Sequence, residues 1–251
     1  MRQLLLDHIC CFDPHHKFRS KLLKLGFYDD ENLVEHPGAS MCKFIHLNPK
    51  KNVHNYYLEF IHQKNPKKRP MGLSFASDVK LRNLLNKFKK YNVKFFHKNY
   101  NWKENSKDIL PGWNFITFPD RKNQPLIWIT EYEYTKEREI RNNKKSKFKN
   151  KNGVNQIIGL CMYLNKKDVK FLSSLLGAPR NNKFMTQNNV FIDYKLSSKT
   201  KIKSVICSTP TFNKLALPFK SHETFKYNQQ TAYRIKNDVK GQWDLILVKG
   251  I

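Results

Sequence analysis

Two runs of β-favouring residues each carry one ionisable side chain in the middle of an apolar stretch. The first run, Leu4 to Phe12, contains His8, and the second, His54 to His62, contains Glu59. If one sheet pairs these two strands, the imidazole and the carboxylate can meet. Such a pair can form part of a metal site, or it can act without metal as a general base that removes a proton next to a carbonyl.

The elements that must position this pair follow in a fixed order along the chain. After the opening strand, His16 to Leu25 places apolar residues on one helical face, and Gly26 follows as is typical of a helix end. Met41 to Leu47 then alternates as a strand should, and the strand with Glu59 comes next. The pattern predicts one unit with the order β, α and then two or three β.

A second unit repeats this order after the basic loop of residues 64–70. Gly72 to Ser77 predicts a strand, and Val79 to Tyr91 carries the apolar stripe of an amphipathic helix. Further strands are predicted at Val93 to His97, Trp113 to Phe118 and Leu126 to Thr130. Two similar consecutive units indicate an internal duplication.

Beyond these units the pattern weakens. The charge run from Thr135 to Asn152 has almost nothing to bury, and it predicts a solvated linker or loop that can contact phosphates. Strand and helix signals then return, with Asp168 to Leu176 as the clearest helix. We therefore divide the chain into residues 1–134 (paired units), 135–152 (basic linker or loop) and 153–251 (a worn third unit and a partial fourth).

The net charge of +27 at first suggests a nucleic-acid-binding protein. Of the 47 cationic side chains, however, 38 are lysine and only 9 are arginine, whereas base and phosphate recognition favours arginine. Asn, Ile, Phe and Tyr are also plentiful, as in chains encoded by AT-rich genomes. Compositional drift is the preferred interpretation, and nonspecific nucleic-acid binding at low salt is expected in either case.

Five cysteines, an odd number, form no CxxC pair and lie mostly in apolar, strand-like runs. This favours reduced core thiols in an intracellular protein over a disulfide framework or a zinc cluster. The N-terminus lacks the features of a signal peptide, and no apolar stretch approaches the roughly 18 residues of a membrane span. We expect a cytoplasmic protein without a membrane partner, and the sequence leaves its oligomeric state open.

Six short motifs in a fixed order resemble the glyoxalase-like domain family of the vicinal oxygen chelate superfamily. They are LDHICCF at the start of the chain, LGF at Leu25 to Phe27, HPGA at His36 to Ala39, YYLEFI at Tyr56 to Ile61, GLSF at Gly72 to Phe75, and FPDRKNQPLIW at Phe118 to Trp128. The resemblance covers residues 4–134, and the C-terminal half shares only the order of strands and helices. It implies an α+β fold of paired βαβββ modules around a cleft, with a degenerate C-terminal module or pair.

Enzymes of this superfamily hold a divalent metal in the cleft, with ligands on the first and last strands of each module. The resemblance puts His8 and Glu59 at these positions in the first module. In the second module the positions fall on Gly72 or one of the two residues after it, and on Ile127, so half of the ligand set is missing. A third ligand would have to come from one of four other residues: His36, His62, Glu131 or Glu133.

Two functions follow from the resemblance as hypotheses. One is a lyase or isomerase that binds a small oxygen-rich or carbonyl metabolite, with Glu59 as base or ligand and His8 as ligand or orienter. The other is a protein of the same fold that sequesters a small molecule without a reaction. His36, Trp128 and Glu131 are the candidate substrate contacts. The ordinary interpretations are a hydrogen-bonded core residue for His8, a turn residue for His36 and a core aromatic for Trp128.

Overall fold

A computed structural model describes residues 4–36, 40–47, 56–63, 70–77, 81–104, 107–119, 125–132, 149–212 and 222–250. The first strands are β1 (Leu4–Phe12), β2 (Asp30–His36), β3 (Ser40–Leu47), β4 (Tyr56–Gln63), β5 (Met71–Ser77), β6 (Phe96–Glu104), β7 (Lys107–Thr117) and β8 (Leu126–Tyr132). The later strands are β9 (Gln156–Leu164), β10 (Lys183–Met185), β11 (Phe191–Leu196), β12 (Lys201–Thr209), β13 (Glu223–Tyr227), β14 (Gln230–Ile235) and β15 (Asp244–Lys249). The helices are α1 (Lys17–Lys24), α2 (Leu81–Lys90) and α3 (Lys166–Leu176).

Strands β1 to β8 form a closed barrel in the order β1-β4-β3-β2-β6-β7-β8-β5. β1 runs parallel to β4, and β5 runs parallel to β8, so each module begins and ends with neighbouring strands. The two opening strands, β1 and β5, pair antiparallel on one side of the barrel, and β2 pairs with β6 on the other. The prediction of two paired βαβββ modules in an α+β fold is confirmed.

Strands β9 to β15 form a seven-stranded sheet in the order β10-β11-β9-β12-β15-β14-β13. β9 is followed by α3, β10 and β11 and runs parallel to β11, while β12 runs parallel to β15. These are the predicted degenerate third module and partial fourth module. Between β12 and β13 the described residues contain no α-helix, and residues 213–221 lie outside them.

The helices form where apolar residues recur on one face. In α2, Leu84 and Phe88 are buried while the basic residues at its end face solvent. Asn165 caps the N-terminus of α3, and its side-chain oxygen accepts the backbone N–H of Asp168 at 2.9 Å. The helix ends before Gly177, whose φ of +90° suits glycine. Within the described ranges, no helix has both the length and the apolar character needed to cross a membrane.

The C-terminal half supports β1 from outside the barrel. The helices, the outer face of the barrel and one face of the sheet share one apolar core. Trp243 is fully buried in this core, and its indole N–H donates to the backbone carbonyl of Cys10 at 3.0 Å. The Asn188 side chain hydrogen-bonds to both backbone groups of Leu6, at 3.0 and 2.9 Å. The strand that carries His8 is thus fixed along its length.

The predicted basic linker, residues 135–152, lies outside the described residues except at its end. That end differs from the predicted solvated segment, because Asn150 and Asn152 are buried. The Asn150 amide donates to the backbone carbonyl of Val154 at 2.7 Å, and the Asn152 amide donates to that of Leu25 at 3.0 Å. Short polar side chains satisfy buried backbone groups here, and the surrounding charge run masks this signal.

Candidate functional site

A β-bulge in β1 sets two ionisable side chains next to each other. The pairing with β5 passes from Leu6 opposite Phe75 to His8 opposite Ser74, so Asp7 is an extra residue on β1. Asp7 Oδ2 lies 2.6 Å from His8 Nδ1, and both side chains are buried. Consecutive side chains of a regular strand point to opposite faces, so this contact depends on the bulge.

A second carboxylate reaches the same imidazole from β4. The parallel pairing puts His8 opposite Tyr57 and Cys10 opposite Glu59. The His8 ring stacks on the Tyr57 ring at a centroid distance of 4.3 Å, and its Nε2 lies 3.3 Å from Glu59 Oε2. The structure therefore brings His8 and Glu59 together, with Asp7 on the other side of the ring.

This group of side chains faces the inside of the barrel. The alternate residues of the same strands, such as Ile9 and Leu58, belong to the apolar core that the helices cover from outside. Only 3% of His8 and 6% of Glu59 is exposed. A ligand that contacts the pair has to do so within the barrel.

The two carboxylates keep His8 protonated. Burial alone would lower the pKa of His8, but the charge and hydrogen bond of Asp7, together with those of Glu59, outweigh burial and raise this pKa from 6.5 to about 9. At neutral pH the ring is an imidazolium that directs one N–H to each carboxylate. Asp7 makes the shorter contact with His8, and it also raises the pKa of His8 more than Glu59 does.

We expect the free energy of unfolding to decrease as the pH rises from about 6.5 to 9. The pKa of His8 is higher in the folded protein than in the unfolded chain, so the stabilisation is complete below pH 6.5 and is lost as the pH passes 9. The expected slope is at most about 1.4 kcal/mol per pH unit. Urea unfolding of the native protein and of His8→Gln across this range measures it, and equal slopes in both proteins would contradict the assignment.

The described side chains of β5 and β8 add a polar wall to the site. Ser74 pairs with His8 across β5 and β1. Its hydroxyl oxygen lies 2.7 Å from the hydroxyl oxygen of Thr130. The Trp128 indole N–H donates to the same Thr130 oxygen at 3.1 Å, and the Trp128 and His8 rings meet edge to face at 5.2 Å. Trp128, a predicted substrate contact, therefore borders the imidazole. Ile127, the ligand position that the resemblance implies, faces the outer core instead.

Gly72 makes room for this tryptophan. A Cβ atom at this position would lie 2.6 Å from the carbonyl oxygen of Leu126 and 2.7 Å from the Trp128 ring. Both distances are far shorter than a van der Waals contact. The second module therefore has no space for a ligand side chain at Gly72 while Trp128 keeps its position.

The described residues at this site do not form a complete ligand set for a divalent metal. His8 can offer one ring nitrogen at most, because Nδ1 lies 2.6 Å from Asp7 and only Nε2, which faces Glu59, can lose its proton to a metal. Glu59 remains as an oxygen ligand, and no three His, Cys, Asp or Glu side chains in the described ranges are grouped to hold a metal ion. Open catalytic sites typically use three protein ligands. His8 and Glu59 lie next to each other as expected of two ligands, and their role as metal ligands stays a prediction.

The other predicted substrate contacts are placed differently. His36 ends β2 with its backbone opposite Ser40, and the prediction for its side chain lies outside the described residues. Glu131 lies on the outer face of the barrel, where the Asn114 amide donates to it at 3.3 Å. Glu131 follows Trp128 by three positions on β8, so its side chain lies on the opposite face of the strand from Trp128, and its predicted contact with a substrate stays a prediction.

Of the remaining third-ligand candidates, the structure describes His62, and that residue lies away from the site. His62 follows Glu59 by an odd step on β4, and its Nδ1 accepts the backbone N–H of His15 at 3.2 Å. Glu133 lies outside the described residues. Within the described part of the chain, Glu59 is the one carboxylate that β4 contributes to this site.

Sequence patterns do not identify three further residues of the inner face: Asp7, Tyr57 and Cys42. The Cys42 side chain hydrogen-bonds to Glu59, and burial followed by the Glu59 charge raises the pKa of Cys42 and of Cys10, so both thiols stay protonated. The available signal for Asp7 is its place directly before a histidine in an otherwise apolar strand.

Comparison with known proteins finds relatives by structure only. No protein-family model matches the chain, and no curated protein matches its sequence. A hypothetical protein from Staphylococcus aureus superposes with a TM-score of 0.65 at 10% identity, covering 98% of this chain and 99% of that one. The Mn(II)-bound glyoxalase from Novosphingobium aromaticivorans gives 0.58 at 8% identity, with 99% and 82% covered. Homoprotocatechuate 2,3-dioxygenase from Brevibacterium fuscum gives 0.60 at 8% identity, with 99% and 81% covered.

The glyoxalase and the dioxygenase are proteins of the vicinal oxygen chelate superfamily, and each match extends over nearly all of this chain. The chain therefore has the vicinal oxygen chelate fold, as its motifs predict. At these identities the likeness establishes the fold, so function has to be argued from the site itself.

Proposed function

We propose that the chain binds a small oxygen-rich or carbonyl metabolite inside the barrel and transfers a proton at the carbon next to the carbonyl, as a lyase or isomerase does. The observation that carries this proposal is the buried Asp7–His8–Glu59 arrangement on the inner face. Glu59 is the proton acceptor, because it is the carboxylate that the inner face presents beside the ring. Solved proteins of the same fold include a glyoxalase and a dioxygenase, which supports a small-molecule ligand.

His8 has a weaker and a stronger contact, and this difference suits a role in catalysis. Charge-assisted hydrogen bonds between nitrogen and a carboxylate usually measure about 2.7–2.9 Å. The 2.6 Å contact with Asp7 is a strong one that orients the ring, whereas the 3.3 Å contact with Glu59 is long. A carbonyl oxygen can replace Glu59 at Nε2, and the imidazolium then stabilises the negative charge that develops on that oxygen.

This scheme uses the imidazolium as the positive charge beside the substrate oxygen. The glyoxalase of the same fold is Mn(II)-bound, and a metal ion supplies that kind of charge. A metal at this site would require His8 to give up the Nε2 proton that faces Glu59, while Asp7 could keep the Nδ1 proton, and it would require further ligands. Metal analysis of protein purified without a histidine tag should give far less than one equivalent of Mn, Fe or Zn, and a stoichiometric metal that Glu59→Gln removes would contradict the scheme.

Deuterium exchange tests the proton transfer without knowledge of the product. The native protein is incubated in D₂O with a panel of 2-oxo acids and 1,2-dicarbonyl compounds, and NMR follows the loss of the C–H signal next to the carbonyl. For any compound that exchanges, Glu59→Gln should reduce the rate by about 100-fold or more, because general-base catalysis contributes roughly 10²–10⁴-fold. The binding affinity should change much less.

Glu131→Gln is the matched control, because it removes the same charge from the outer face of the barrel. This variant should exchange at the native rate. Exchange that Glu59→Gln leaves unchanged would exclude Glu59 as the base. If both variants reduce the exchange rate equally, the effect comes from the loss of a negative charge in general and not from Glu59 as the base.

The second candidate is a protein that sequesters its ligand without reaction. The observation in its favour is the near-complete burial of His8 and Glu59, which already satisfy each other. Binding of a panel compound with no deuterium exchange in the native protein would support sequestration over proton transfer.

We place this function in the cytoplasm. All five cysteines are free, and four of them are buried. Free thiols of this kind are typical of a reducing compartment. The net charge of +27 remains a reason to expect weak, salt-sensitive contact with nucleic acid, so binding assays need physiological salt.

A further inference from the structure

The seven-stranded sheet curls so far that distant strands touch. Tyr227 on the edge strand β13 hydrogen-bonds to the Cys161 side chain on β9, although β12, β15 and β14 lie between these strands. In a flat sheet, four spacings of about 4.8 Å would hold them roughly 19 Å apart. The curl encloses a cavity of about 200 Å³ on the face away from the shared core.

The charge of this cavity is positive. Its ionic lining consists of Lys195, Lys203 and Arg234 against the single carboxylate of Asp193. The Lys203 ammonium is exposed and lies 5.9 Å from the centroid of the Tyr163 ring. A concave site with this balance attracts a small anion and offers it an aromatic surface.

Arg234 lies in the cavity wall between an aromatic ring and a carboxylate. Its guanidinium lies over the Phe225 ring at 4.7 Å from the centroid, and its Nη1 donates to Glu223 Oε1 at 3.1 Å. Its Nε is buried and has no hydrogen-bond partner in the described ranges. Stacking on Phe225 and the bond to Glu223 hold the Arg234 guanidinium in the wall of the cavity, where it provides a fixed positive charge.

The cavity is suited to binding and not to covalent chemistry. Burial, followed by the charge of Asp193, raises the pKa of the Cys161 thiol, and burial likewise raises the pKa of the Tyr227 phenol. Both groups therefore stay protonated at neutral pH and provide neutral contacts.

We infer that this cavity binds a small organic carboxylate with a planar apolar body, its carboxylate beside Arg234 and Lys203 and its body against the Phe225 and Tyr227 rings. The volume is below the roughly 300–1,000 Å³ of pockets for drug-sized ligands, so the ligand is about as large as benzoate. This site lies in the C-terminal sheet and is independent of the barrel site and of its proposed function.

Titration calorimetry with benzoate at physiological salt tests the inference. Benzyl alcohol has nearly the same shape without the charge, and it should bind at least about 10-fold more weakly, because a lost charge-assisted hydrogen bond has an effect of this order. Arg234→Met and Lys203→Met should each weaken benzoate binding at least about 10-fold. Lys203 is exposed, so its variant is expected to fold normally, as thermal unfolding will show.

Arg180→Met and Lys170→Met are the matched controls, because they remove the same charges from exposed positions outside the cavity. Both should leave the benzoate affinity within about twofold of native. Equal weakening by cavity and control variants would show nonspecific attraction to a cationic protein and would overturn the inference. So would the absence of benzoate binding, or inorganic phosphate binding as tightly as benzoate.

Discussion

Replacing Asp7 by asparagine is expected to lower the free energy of unfolding by about 3 kcal/mol at pH 7. Asp7 is fully buried, and its carboxylate lies 2.6 Å from the ring nitrogen of His8. Asparagine keeps the shape of the side chain but removes its charge. The buried imidazolium then keeps only the longer contact with Glu59, or it loses its proton. Urea unfolding at pH 7 measures the change.

The pH dependence of this loss separates charge from packing. Above pH 9 His8 is neutral in the native protein as well. Asp7→Asn should therefore lower the free energy of unfolding clearly less above pH 9 than at pH 7. Asp238→Asn is the control, because 77% of that side chain is exposed, and its effect should stay within about 0.5 kcal/mol. A loss in Asp7→Asn that does not vary with pH would mean that Asp7 acts through packing alone.

Replacing Trp243 by alanine is expected to lower the free energy of unfolding by about 4 kcal/mol. The side chain is fully buried, and its ring meets the Phe18 ring at a centroid distance of 5.6 Å. Its indole N–H also donates to the backbone carbonyl of Cys10, which lies on the same strand as His8. The cavity left by alanine would therefore weaken the packing of the barrel against the sheet. Denaturant unfolding followed by circular dichroism measures the loss.

Trp243→Phe separates the hydrogen bond from the apolar contact. Phenylalanine keeps much of the ring but leaves the Cys10 carbonyl without its donor, so a loss of about 1–2 kcal/mol is expected. Tyr91→Ala is the control, because 59% of this aromatic residue is exposed and its removal should have little effect. If Trp243→Ala and Tyr91→Ala cost the same, Trp243 does not connect the two halves in the way that its contacts indicate.

The sequence predicts the parts of the molecule that depend on local periodicity. The two βαβββ modules follow from strands and helices whose apolar residues recur with clear periods. His8 and Glu59 could be paired because each lies in the middle of a strand-forming run at a motif position. The resemblance supplied the information that these two strands are neighbours, since strand pairing over some fifty residues is not a local property.

The inner face of the barrel could be predicted only in part, because a shift of one residue moves a side chain to the opposite face. The ligand position that the resemblance implies on β8 falls on Ile127, whereas Trp128 is the residue that faces inward. Asp7 reaches His8 through a bulge, which depends on how β1 and β5 pair. Glu131 shares its strand face with Ile127 and Ile129, which belong to the outer core, and periodicity alone does not show which face of β8 borders the cleft.

The C-terminal sheet was harder to predict than the barrel. The hairpin of β13 and β14 turns at Asn228 and Gln229, whose φ angles of 47° and 65° are both positive. Turns of this kind favour Asn-Gly or Asp-Gly, and glutamine at the second position hides the signal. The cavity beside Arg234 depends on the curl of the whole sheet, which has no local sequence pattern.

The protonation state of His8 at neutral pH tests the proposed site most directly. ¹⁵N chemical shifts of the ring nitrogens, measured across a pH titration of labelled protein, report whether each nitrogen carries a proton. We expect an imidazolium at pH 7 that titrates with a pKa of about 9, and a lower pKa in Asp7→Asn. A neutral ring at pH 7 with one unprotonated nitrogen would contradict the ion pair. It would also leave that nitrogen free to bind a metal.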